Sequence, residues 1–209
     1  MTEAEWNTSA DPKAMLEFLQ GTGNVSDRKL RLFACTCYHD YFHFMLPDSR
    51  GFTRYITWVE MTERYVDGMA TREAWDAARS GLHGMEHVVD AHHHAVNASE
   101  TAAGVAGWFK TKTFCRVQEG DENRCLSGKL RDIVANPFHP VTFDLSWRSE
   151  TVVLLARHMY ESRDFSTMPI MADALQDAGC EDENILSHCR GTGPHVRGCW
   201  VVDLVLGKE

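Results

Sequence analysis

Apolar residues recur at three- and four-residue steps along most of the chain, the period of helices that bury one face. Asp11-Pro12 opens the first such segment, with Met15, Leu16, Phe18 and Leu19 on helical spacing before Gly21. Aspartate is a good N-cap and proline suits the first helical position, so a helix is expected to about Gln20. Ser26-Asp27 caps a longer apolar stretch from Leu30 to Leu46 that stops at Pro47. Phe52, Tyr55, Ile56, Val59 and Tyr65 then predict a helix over 51–67, and Thr71-Arg72-Glu73 opens another that continues to about Asn97.

The period is lost between residues 101 and 128, where a long loop or a small hairpin through Phe114-Cys115-Arg116-Val117 is expected. Asn136-Pro137 and His139-Pro140 end a helix that contains Leu130 to Val134, because proline pushes the preceding residue out of helical geometry. Val141 to Leu145 reads as an extended connector. Three helices follow, over Thr151 to Glu161, Pro169 to Ala178 and Glu183 to Arg190, the last two closed by Gly179 and Gly191. The apolar run Val196 to Leu206 is read as a terminal helix. The expected fold is all-α, a compact bundle of about eight helices in a single domain spanning residues 1–209.

Composition narrows the function classes. Hydrophobic residues are 44% and charged residues 24% of 209, which is globular composition. Thirty acidic against 21 basic side chains give a formal net charge of -9, a mean field that repels phosphate backbones and anionic lipid. Neither nucleic acid nor membrane is expected as a partner. The acidic start Met1-Thr2-Glu3-Ala4-Glu5 does not resemble a signal peptide, and no apolar run approaches the roughly 18 residues of a membrane span. The seven cysteines are odd in number and scattered, so reduced thiols in a cytoplasm are expected rather than a disulfide framework.

The segments MTEAEW, DPKAMLEFLQ, SDRKLRLFACTC and LRDIVANPFHPV, with the long tail from Met168 that contains HCR and HVRGCWVVD, resemble an uncharacterised helical family abundant in planctomycete bacteria. No activity or cofactor comes with that family, so the resemblance implies a bacterial cytoplasmic protein and no site. The histidine-rich middle departs from the alanine-rich charged helix of that family.

Two clusters carry candidate chemistry. His83, His87, Asp90 and His94 project within an arc of roughly 60° on one helix face, opposite Leu82, Met85, Val89 and Val96. Imidazole and carboxylate at this spacing suit a transition metal such as zinc or iron, and the alternative is a polar solvated face. His83-Gly84-Met85-Glu86-His87 also matches the H-x-x-E-H form of inverted zinc peptidases, though no third ligand is marked. The second cluster is Cys180, His188, Cys189, His195 and Cys199. Thiolate with imidazole is a structural-zinc ligand set, but the spacing lacks the short C-x2-C knuckle, and buried cysteines that simply pack are the competing reading.

No nucleophile elbow or phosphate-binding glycine loop is present, and Gly21-Thr22-Gly23 and Gly191-Thr192-Gly193 read as turns. The expectation is a noncatalytic helical module that binds a protein partner or forms a homo-oligomer. The alternative is a metal-binding protein or metal-dependent enzyme.

Overall fold

A computed structural model describes residues 1–23, 25–45, 50–80 and 119–208. Those residues form ten α-helices and one 3-10 turn, with no strand among them, so the all-α expectation holds with more helices than the sequence predicts. The expected hairpin in 101–128 falls largely outside the described residues, and where the chain is described again it is already helical. Two compact units are present: residues 1–8 with 127–209, and residues 9–126.

In the second unit, α2 (Pro12–Thr22) is capped as anticipated, the Asp11 carboxylate accepting from Lys13 N–H and Ala14 N–H. Helices α3 (Asp27–Met45), α4 (Arg50–Val66) and α5 (Arg72–Ser80) follow, α4 packing on both α3 and α5. The α4–α5 contact is built on Trp75, whose indole N–H donates to Thr62 Oγ1 at 2.9 Å and whose ring stacks on Tyr65. Arg28 is fixed against the fully buried Asp67 carboxylate at 2.9 Å, joining the start of α3 to the end of α4.

The other unit begins with α1 (Glu3–Thr8), which the hydrophobic pattern does not reveal. Thr2 and Glu5 form a capping box, with Thr2 N–H donating to Glu5 and Glu5 N–H to Thr2. A six-residue helix does not hold itself in water, and this one is held by tertiary bonds. Arg131 donates twice to the Trp6 carbonyl, at 2.9 and 2.6 Å, and Glu3 takes both Asn136 and His139. All of these partners lie at or after the last turn of α6 (Glu119–Val134), which ends before Asn136-Pro137 as expected.

Residues 141–144 carry no regular secondary structure, Asp144 being extended, and Leu145, expected in the connector, instead opens a 3-10 turn, Leu145–Trp147, started by the Asp144 carboxylate on Ser146 N–H. Helix α7 (Glu150–Ser162) buries Val152, Ala156, Met159 and Tyr160, positions 0, 4, 7 and 8 of one stripe. Helix α8 (Met168–Asp177) answers with Met168, Met171, Ala172 and Leu175. A turn through Gly179, whose φ of +91° favours glycine, leads to α9 (Glu183–Arg190), capped by Asp182 on Asn184 and Ile185 N–H. The terminal run is helical only from Trp200, in α10 (Trp200–Leu206); residues 196–199 form the turn that enters it. One continuous core from α7 to α10 results, with Val201, Val202 and Val205 fully buried within it. Each such side chain contributes about 1.5–3 kcal/mol of transfer free energy, so α10 is anchored far more firmly than seven residues of helix propensity allow.

A candidate metal centre between α6, α9 and α10

Four side chains of this unit converge: Asp132 from α6, His188 from α9, His195 from the 191–199 loop, and Cys199 at the N-cap of α10. Each offers one ligating atom, and these atoms all lie within 4.8 Å of one another. His188 Nε2 stands 3.1 Å from Asp132 Oδ1 and 3.3 Å from Cys199 Sγ, and His195 Nδ1 stands 2.8 Å from the same Asp132 oxygen.

The core explains why these residues meet. Ile185, Leu186 and Cys189 bury one side of α9, and the next position round the same turn, His188, faces the start of α10. The loop is drawn onto α6 by Val196 N–H, which donates to Asp132 Oδ2 at 2.8 Å. Pro194 packs so closely on Gly128 that a Cβ there would lie 3.3 Å from the proline ring. A side chain at 128 would require Pro194 to give by a few tenths of an ångström.

The site is dry. Side-chain exposure is 3% for Asp132, 9% for His195 and 20% for His188, and Cys199 is fully buried. Burial pushes the Asp132 carboxyl up, but the two histidines that hydrogen-bond to it outweigh burial and hold it below the usual carboxylate range. The Cys199 thiol is driven well above its usual range by burial and by the neighbouring Asp132 charge. Trp200 completes the surround: its indole N–H lies 3.2 Å from His188 Nδ1, and the two rings are 4.9 Å apart. His195 Nε2 is buried with no partner, and a buried orphan of this kind costs about 1–3 kcal/mol. The cluster thus has a polar atom that its own side chains leave unsatisfied.

These four residues do not form a cysteine nucleophile. In a Cys-His-Asp relay the thiol and the carboxylate sit on opposite nitrogens of the imidazole, so that one holds the tautomer while the other gives up its proton. Here both sit on Nε2, and the thiol is made harder to ionise.

Of the residues picked out from the sequence, His188, His195 and Cys199 are brought together. Cys180 and Cys189 are buried in the core and are not among the converging four. Burial, with the nearby Cys180 and Asp132, pushes the Cys189 thiol up to about 12, as suits a packed thiol. His83, His87, Asp90 and His94 lie outside the described residues. Asp132 is the residue that sequence reasoning missed. Its one sequence signal is a carboxylate beside the apolar positions Leu130, Ile133 and Val134 near a helix end, of which Leu130 and Ile133 are fully buried. No helix among the described residues is long and apolar enough to cross a membrane. Compared with known proteins, the chain matches no family model, no curated protein and no solved structure.

Proposed function

We propose that the protein is a zinc-binding helical module in which Asp132, His188, His195 and Cys199 hold one divalent ion that ties α6, α9 and α10 together. The observation that carries this is the convergence of four zinc-type donors from four separate places in the chain into one buried cluster. Zinc bonds of 2.0–2.3 Å imply tetrahedron edges of about 3.2–3.8 Å. The three short separations, 2.8, 3.1 and 3.3 Å, would have to open slightly to admit the ion, and all four donor atoms already lie within 4.8 Å of one another.

Charge supports the same choice. A coordinating thiol gives up its proton, so the Asp132 carboxylate and a Cys199 thiolate together balance a dication, and a neutral cluster is what a buried site tolerates. Mixed nitrogen, sulfur and oxygen ligation suits zinc, and four protein donors fill its tetrahedral shell and leave no position for substrate. The role is therefore structural, and the module is noncatalytic.

An interaction surface has less support. The large exposed apolar side chains Leu145, Leu154 and Ile170 of this unit are single residues of the sort any surface carries.

Cobalt substitution tests the reading. Titrating the metal-stripped, untagged chain with Co2+ is expected to give the intense visible bands of a tetrahedral site together with a thiolate charge-transfer band, saturating at one equivalent. Cys199→Ser should remove the charge-transfer band. A weak octahedral spectrum, or a thiolate band that survives Cys199→Ser, contradicts the assignment.

A further inference from the structure

The second nitrogen of His188 governs how the cluster takes up an ion, a role that rests on the zinc reading above. An indole N–H donates and cannot accept. Because Trp200 Nε1 lies 3.2 Å from His188 Nδ1, that nitrogen presents its lone pair. The neutral ring then carries its proton on Nε2, which points at Asp132 Oδ1 and Cys199 Sγ. The arrangement is a satisfied hydrogen-bonded cluster, and it is the wrong tautomer for a metal. An ion on Nε2 needs the lone pair there, which moves the proton to Nδ1 and sets it directly against the indole N–H. Metal-binding histidines ordinarily donate this outer N–H to a carboxylate or carbonyl, and here a donor occupies the place of the acceptor.

We infer that Trp200 is a gate on the metal centre: its indole holds His188 in the metal-refusing tautomer, and zinc enters only as the Trp200–His188 hydrogen bond breaks. Two exclusive states result. In one, the indole is bonded to His188 and the Nε2 proton closes the cluster. In the other, His188 and Cys199 hold the ion and the indole N–H has left Nδ1. Trp200 is the first residue of α10 and comes directly after Cys199, so the switch is applied at the point where α10 meets the ion. Trp200 acts through His188 and is a positioning residue, not a ligand.

The gate makes the hydrogen bond a cost of loading, so removing the donor should tighten zinc binding. In competition with a chromophoric zinc chelator, Trp200→Phe is expected to bind zinc about three- to tenfold more tightly than the wild type, the range one neutral hydrogen bond allows. In the 15N-labelled wild-type chain, the Trp200 indole N–H resonance, assigned through bonds, is expected to shift and to lose exchange protection on adding one equivalent of zinc. Unchanged or weaker zinc affinity in a folded Trp200→Phe chain overturns the gate. Should that variant fail to fold, the wild-type spectrum decides, and an indole resonance unmoved by stoichiometric zinc overturns the gate equally. A wild-type chain that takes up no zinc removes the metal centre itself, whereas zinc uptake without a Trp200 response removes only the gate.

Discussion

Asp132 accepts from His188, His195 and the Val196 amide, so one buried carboxylate fixes a helix, a loop and two imidazoles. Asp132→Asn keeps the shape and removes the charge. Stripping one partner from a buried charge cluster costs about 3–5 kcal/mol, and that loss is expected in urea unfolding of the zinc-loaded protein. The thiols give a second prediction. Among the described cysteines only Cys125 is exposed, while Cys35, Cys37, Cys180, Cys189 and Cys199 are buried. Native alkylation should mark Cys125 quickly and those five only after denaturation. The sign of the pH effect comes from Cys189, whose folded value of about 12 lies above the roughly 8.5 of an unfolded thiol. Its contribution is complete below about 8.5 and is lost as pH climbs from there toward 12, because the unfolded state ionises first. Unfolding midpoints measured from pH 7 to 11 should fall only on the alkaline side.

At the scale of elements, the loop approaches α6 closely, Val196 N–H donating to Asp132 and Pro194 lying against Gly128. Gly128 lies against Pro194, the neighbour of His195, and a Cβ there would stand 3.3 Å from the proline ring. Gly128→Val must push Pro194 outward, and is expected to weaken zinc binding by tenfold or more while leaving helix content by circular dichroism unchanged. Equal zinc affinity in that variant contradicts a positioning role for the contact. Helix caps were legible without a structure: Asp11, Gly179 and the Asn136-Pro137 stop act as their residue types require. Helix α1 was not, because its stability comes from Arg131, Asn136 and His139, more than 120 residues away. The terminal run was half legible, since Val196 and Cys199 continue the apolar spacing of Trp200 to Leu206, yet residues 196–199 are held as a turn by Asp132 and by Cys199 N–H on the Val196 carbonyl.

The candidate site shows the same division across the whole molecule. His188 and Cys199 are 11 residues apart, so their chemistry was visible as a local cluster, whereas Asp132 lies 63 residues before His195 and only tertiary packing brings it in. Periodicity identifies buried faces, but it does not say which buried carboxylate a distant loop will meet. The cluster belongs wholly to the unit of residues 1–8 and 127–209. Chelation should therefore act there: hydrogen exchange is expected to accelerate over 183–206 and to stay unchanged over 27–45. Uniform acceleration through both units contradicts a site confined to one.

Zinc content of the untagged chain, measured together with its melting temperature before and after chelation, tests the metal centre most directly. One zinc per chain is predicted, absent from Cys199→Ser, with a fall in Tm of roughly 10 °C or more on stripping, the response of a folded state that loses a tightly bound ion. Metal-free protein that ignores added zinc and melts at the same temperature with and without chelator would contradict it, leaving Asp132, His188, His195 and Cys199 as a hydrogen-bonded cluster and nothing more.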